Sequence, residues 1–249
     1  MTDTAVIVAP AKLTLRLHIT GVRRDGYHLI DAEMVTLQLA DSLEITPGGS
    51  GLTADGPFAD GLKLDDSNLV ARALRFAGRR AGVHLRKVIP HGGGLGGGSA
   101  DAAAVLRWAG FHDVAGTVAL GADVPFCLVG GRATVRGIGE LVEPLPHRPL
   151  DVTLVIPPLV VSTPAVYRMW DLLEAPRGDG PNDLEAAAVA VEPELSRWRD
   201  RIAEAAGVVP TLAGSGATWF LAGHFAELGD ALAEATVVLT SAKTRNDRP

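Results

Sequence analysis

Residues 90–104 read Pro-His-Gly-Gly-Gly-Leu-Gly-Gly-Gly-Ser-Ala-Asp-Ala-Ala-Ala, six glycines and a serine running directly into strong helix formers. Glycine reaches positive φ and lets a ligand approach the main chain with no Cβ in the way. A helix N-terminus adds unpaired N–H groups and a partial positive charge. Together these features form a receptor for phosphate, so the stretch points to a chain that handles a nucleotide.

Working outward, Val83 to Ile89 is strand-like and delivers the chain into the tract, and Ser99 to Ala109 is the helix that follows. Further upstream, Leu13, Leu15 and Leu17 alternate with Lys12, Thr14, Arg16 and His18, the period of a strand with one buried and one polar face. Turn chemistry at Arg23-Arg24-Asp25-Gly26 predicts that this strand folds back onto a second one around Leu29 to Leu43. Thr46 to Gly61 reads as a hairpin or loop, and Asp65-Asp66-Ser67-Asn68 as the cap of a helix from Leu69 to about Arg80. Phe126–Val129 and Ala133–Val135 are short strand candidates. Three prolines in Glu143–Pro149 mark a boundary between lobes 1–147 and 148–249.

In the second lobe Val152–Ile156 reads as a strand and Thr163–Leu173 as a helix with Pro164 in its first turn. Helices follow at 183–191, 193–206 and 225–235. A second Gly-Ser-Gly lies within 211–222, and Val237–Thr240 forms a last strand. Without strict βαβ alternation the fold class is α+β.

The glycine tract fits neither familiar nucleotide motif. The P-loop needs Lys then Ser/Thr after its last glycine, and here Ser99-Ala100 follows Gly98. Gly92, Gly94 and Gly97 match the dinucleotide fingerprint only formally, because no strand ending in an acidic residue follows. A third cradle remains. Pro90–Ala104 resembles the glycine-rich motif of the galactokinase, homoserine kinase, mevalonate kinase and phosphomevalonate kinase (GHMP) superfamily. Within that superfamily the chain is most similar to the kinases of 4-diphosphocytidyl-2-C-methyl-D-erythritol. Five more stretches agree in order: Pro10-Ala11-Lys12-Leu13, Arg24-Asp25-Gly26-Tyr27-His28, Gly121-Ala122-Asp123-Val124-Pro125-Phe126, Asn182-Asp183-Leu184-Glu185, and Gly214-Ser215-Gly216-Ala217. The resemblance covers about residues 5 to 222.

The resemblance implies a two-lobed GHMP kinase fold, an N-terminal α/β lobe carrying the glycine loop and a ferredoxin-like C-terminal lobe. It implies ATP-dependent phosphorylation of the 2-hydroxyl of the cytidyl substrate in non-mevalonate isoprenoid precursor synthesis. Asp123 falls where the base lies and Lys12 beside it; from the residues alone they read equally as a turn aspartate and a solvated lysine. Pro90, Gly92, Gly93, Gly94, Leu95, Gly96, Gly97, Gly98 and Ser99 would hold ATP, with Lys87 and Asn68 as further nucleotide contacts. Ser99 would also suit a helix cap. Tyr27, His28 and Tyr167 would hold the cytosine, with Thr14, Gly214 and Ser215 completing the substrate side. Mg²⁺ would arrive with ATP, since no residue spacing indicates a metal site of the protein's own.

The chain departs from the family pattern at Thr14 (usually Asn), at Ala100 (usually Ser) and in a shortened segment 108–120. Two other readings stay open: a kinase of the same superfamily for another small alcohol, homoserine- or mevalonate-like, and a nucleotide-binding regulator without catalysis.

Composition is consistent with this. The 249 residues are 47% hydrophobic and carry a net charge of −6, which disfavours nucleic acid as a partner. Cys127 stands alone, so no internal disulfide forms. The Met-Thr-Asp-Thr start lacks signal-peptide character and no apolar run reaches membrane-spanning length. The expectation is a soluble, cytoplasmic protein, monomer or homodimer, that meets no membrane, with a frayed tail from Lys243 to Pro249.

Overall fold

The structure, a computed structural model, describes residues 4–175 and 180–244. Its N-terminal sheet grows from one long hairpin. Strand β1 (Ala5–Val22) pairs antiparallel with β2 (His28–Pro47) through a turn in which Gly26 takes φ 86°. Register shifts between Pro10 and Lys12 and between Thr14 and Arg16 bracket the Lys12–Thr14 segment. Bulges of this kind re-aim side chains.

Strand β3 (Leu52–Asp55) runs parallel to β4 (Ala81–Arg86), and the sheet order is β3-β4-β2, then β5 (Arg132–Gly137) and β6 (Leu141–Leu145), with β1 on β2. Helices α1 (Leu69–Phe76), α2 (Gly97–Trp108) and α3 (Val124–Val129) cover this lobe. Residues 83–86 and 133–135 are strand as expected, whereas Phe126–Val129 is helix. A short apolar run fits either state, and Pro125 in the first turn favours helix because it lacks the N–H a sheet needs. The segment 46–61, read as hairpin or loop, contributes β3. The shortened segment 108–120 holds one 3-10 turn, Ala115–Ala119.

The second sheet contains β7 (Asp151–Ile156), β8 (Thr211–Leu212), β9 (Trp219–Ala222) and β10 (Thr236–Ser241) in the order β10-β7-β9-β8, all antiparallel. Between β7 and β8 lie α4 (Thr163–Leu172), α5 (Glu185–Val191) and α6 (Glu194–Ala206), and between β9 and β10 lies α7 (Leu228–Ala231). This βαββαβ path with its first strand between fourth and third is the ferredoxin-like arrangement. The helix expected over 225–235 shrinks to α7.

The two sheets share a core. Leu13, Val35, Leu37, Ile89 and Leu95 pack with Val152, Leu154 and Phe220, all buried. The bridges Leu17–Asn182 and Leu37–Ala242 join the backbones of the two halves. Of the tail expected to fray, Lys243 donates its amide to the Thr36 carbonyl, and residues 245–249 lie outside the described residues.

Candidate active site

The glycine loop alternates in hand. Gly92, Gly94 and Gly96 have φ of 74°, 75° and 69°, the left-handed region that L side chains rarely enter. Space forbids substitution as well. A Cβ at Gly94 would meet the Ala213 carbonyl oxygen at 2.5 Å, and one at Gly96 would meet Lys12 Cγ at 2.7 Å. Helix α2 starts at Gly97 behind Gly96, which has no side chain to cap it. The first-turn amides therefore face outward without a side-chain acceptor, as an anion cradle requires.

Beside the cradle, Lys12 Nζ lies 3.4 Å from Asp123 Oδ2 and donates to Thr14 Oγ1 at 3.2 Å. The lysine is 5% exposed, and Thr14 beside it is buried too, so this part of the polar face of β1 is not solvated; the glycine loop and Gly214 lie against it. Asp123, the residue preceding α3, has a side chain 31% exposed and open to a cavity of 460 Å³. The cavity runs from Gly94, Lys12 and Asp123 to an aromatic end made by Tyr27, His28 and Tyr167.

At that end His28 is held from two sides. Its Nε2 lies 2.8 Å from Asp171 Oδ1, and its ring packs against Tyr167 (4.7 Å between centroids) and edge-on against Trp170 (5.5 Å). Tyr167 and Asp171 sit one turn apart on α4, so a single helix face presents both. Burial, reinforced by the Asp123 charge, pushes the Tyr167 phenol above its ordinary range, so it is a neutral ring with a hydroxyl donor. Tyr27, 58% exposed with Arg23 over its ring at 5.4 Å, forms the outer wall.

The Asn182-Asp183 pair organises this centre from behind. Asn182 Nδ2 donates to the carbonyls of Leu212 (2.9 Å) and Gly214 (2.7 Å), and its Oδ1 accepts from the Leu184 amide at 3.0 Å. Asp183 Oδ2 accepts the Ile19 amide at 2.8 Å. Strand β1 and the Gly214 turn are thereby fixed to one short segment. Ser215 Oγ in that turn hydrogen-bonds Thr163 Oγ1 at 2.7 Å.

The comparisons with known proteins agree with this geometry. Residues 68–131 match the model of the GHMP kinases N-terminal domain. The 4-diphosphocytidyl-2-C-methyl-D-erythritol kinase of Paracoccus denitrificans is 43% identical over 244 residues, covering 90% of this chain and 88% of that protein. The chain belongs to this kinase family. The enzyme of the same name from Ruegeria pomeroyi is 38% identical, over 85% of this chain and 86% of its own. A crystal structure of 4-(cytidine 5'-diphospho)-2C-methyl-D-erythritol kinase superposes with a TM-score of 0.76 at 32% identity, over 96% of this chain and 100% of that one. Homoserine kinase from Cytophaga hutchinsonii shares the fold alone, with a TM-score of 0.63 at 17% identity over 98% and 96% of the two chains.

For this member of the family, the expected catalytic pair and substrate-side residues converge on one cavity, together with one glycine of the loop: Lys12, Thr14, Tyr27, His28, Gly94, Asp123, Tyr167, Gly214 and Ser215 all line it. Two expected nucleotide contacts have their side chains engaged within the chain, and one expected cap is corrected. Lys87 is 2% exposed, with its ammonium enclosed by Asp41 and Asp101. Asn68 spends its side chain on α1, accepting from the Val70 amide at 2.8 Å and donating to the Lys63 carbonyl at 2.6 Å. Ser99 is not a cap, because α2 begins two residues before it.

Two charged residues of the cavity wall went unread in the sequence, Asp171 and Arg168. Asp171 follows Tyr167 by four, a spacing that marks a shared face but not what the face meets. Arg168 pairs with no carboxylate among the described residues, so its cation is available to a ligand.

Proposed function

We propose that the chain transfers the γ-phosphoryl group of ATP to the 2-hydroxyl of 4-diphosphocytidyl-2-C-methyl-D-erythritol. The observation that carries this reading is the Lys12–Asp123 pair at 3.4 Å, in a cavity reaching from the glycine cradle to the His28–Tyr167 cluster. Family membership at 43% identity over 90% of the chain favours this substrate over another small alcohol, and the retained pair argues against a regulator without catalysis.

In this reading the two substrates meet between residues 1–147 and residues 148–249. The main-chain amides at the start of α2 take the ATP phosphates, and the left-handed glycines let those phosphates lie against the backbone. Cytosine enters between Tyr27 and Tyr167, where stacking contributes roughly 1–3 kcal/mol per ring by analogy with other base platforms. Arg168 and Lys12 supply positive charge for the diphosphate in between. Asp123 accepts the hydroxyl proton as the substrate oxygen forms its bond to the γ-phosphorus and the bond from that phosphorus to the ADP oxygen breaks. Lys12 Nζ stabilises the oxygen charge that develops beside it.

Mg²⁺ fits as a companion of ATP, neutralising phosphate charge. Among the described residues no group of three or more His, Cys, Asp or Glu forms a metal cage, whereas Asp123 stands at the mouth of the cradle. No helix among the described residues is long and apolar enough to cross a membrane, in keeping with work in the cytoplasm.

The test is ADP release with ATP, Mg²⁺ and the cytidyl substrate, compared with Asp123→Asn. Turnover in the wild type and a loss of about 10²-fold or more in the variant are expected, the scale of a removed general base. Activity of the variant within a few-fold of wild type would refute the assigned role of Asp123.

A further inference from the structure

A loop of six glycines has no side chains with which to hold its own shape, and the structure shows what lies beneath it. Lys87 sits just past the end of β4, three residues before the loop opens at Pro90. Its buried ammonium donates to Asp41 on β2 and to Asp101 Oδ2 on α2, the latter at 2.6 Å. Asp41 Oδ1 accepts the main-chain amides of Val88 and, at 2.8 Å, Ile89. A Cβ at Gly97 would lie 3.5 Å from Lys87 Nζ, so the ammonium sits directly under the first turn of α2. One cluster thus ties the residues entering the loop to the helix leaving it.

Stability alone does not account for the cluster. Buried charges lose hydration, and apolar packing of equal volume is often as stable or more so. Moreover, Asp101 Oδ1 has no hydrogen-bond partner, a cost that a purely structural site would avoid. Two carboxylates and one ammonium leave one negative charge beneath a receptor for anions. Burial pushes the Asp101 acid up to about 7, which moves the cluster toward neutrality.

We infer that Lys87, Asp41 and Asp101 form a positioning clasp that sets the distance between the two ends of the glycine loop and so controls nucleotide affinity. The inference rests on the proposed binding of ATP in that loop. Neither Lys87 nor Asp101 touches the nucleotide; both act through the main chain they anchor.

The experiment is titration calorimetry with ADP, alongside steady-state KM values for ATP and for the cytidyl substrate, on wild type, Lys87→Met, Asp101→Ala and Asp101→Asn. Lys87→Met and Asp101→Ala should weaken ADP binding and raise the KM for ATP on the order of 10-fold or more, with the KM for the cytidyl substrate within about twofold of wild type. Asp101→Asn keeps the shape of the neutral acid and should restore most of the affinity. Where Lys87→Met does not fold, Asp101→Ala alone decides, since the Lys87–Asp41 contact survives in it. Variants that bind ADP like the wild type, or that raise both KM values together, overturn the clasp. A wild type that binds no ADP overturns the nucleotide reading instead.

Discussion

The Lys12 main-chain amide donates to the Leu95 carbonyl at 3.0 Å, so the strand that carries the ammonium and the loop that would cradle phosphate are joined directly. The bond lies between Gly94 and Gly96, two positions of positive φ where a Cβ would strike neighbouring groups. Cradle and cation are therefore set at one distance from each other, as in-line transfer demands.

That coupling predicts unequal effects for two glycines of the same tract. Gly96→Ala puts a Cβ 2.7 Å from Lys12 Cγ at a φ of 69°, so both the loop and the lysine must shift. A displacement near 1 Å costs about 10²-fold in rate, and kcat/KM should fall by at least that order. A Cβ at Gly98 meets only Leu69 Cδ1, at 3.4 Å, so Gly98→Ala should stay within a few-fold of wild type. Steady-state kinetics of the two variants checks the contrast, and equal losses would contradict it.

Asp171 gives a second prediction, confined to the other substrate. Its carboxylate fixes the His28 ring at 2.8 Å, at the end of the cavity away from Lys12 and Asp123. A hydrogen bond to a charged group contributes about 1.5–3 kcal/mol, so Asp171→Ala should raise the KM for the cytidyl substrate on the order of 10-fold. The KM for ATP should not move. A parallel rise in both would show that Asp171 supports the fold rather than His28.

How much of this was legible before the structure depends on the kind of constraint. The long hairpin was readable because Leu13, Leu15 and Leu17 keep a strict period of two, and α2 because alanines follow the glycines. Val124–Val129 was not, since a run of six apolar residues, five of them buried, has no polar face to reveal a period. The cavity residues found in advance are glycines with positive φ or charged, hydroxyl and aromatic residues in or beside short motifs, features that leave a local mark. Lys87 had the same local look as a solvated strand residue. What buries it, Asp41 and Asp101, lies 46 and 14 residues away in sequence, and only the fold brings the three together. His28 was found by its motif and Asp171 was missed for the same reason, a separation of 143 residues.

The buried acid on α2 gives a prediction in pH. Asp101 faces Lys87 from the end of β4 and Asp41 from β2, with the Cys127 thiol of α3 and the Arg107 cation of its own helix farther off. Burial raises its acid from 3.8 to about 7, and the nearby Asp41 charge adds to this while Lys87 opposes it. The folded chain therefore keeps a proton that the unfolded chain releases. The resulting stability is fully present below pH 3.8 and is lost as pH rises through about 7. Within that window the slope reaches at most about 1.4 kcal/mol per pH unit. Asn in place of Asp101 has no proton to lose, so Asp101→Asn should gain on the wild type in melting temperature between about pH 4 and pH 7 and hold that gain above. Thermal melts of both proteins across this range give the difference directly. A difference that stays flat with pH would mean that the Asp101 carboxyl is ionised throughout, with Lys87 balancing it fully.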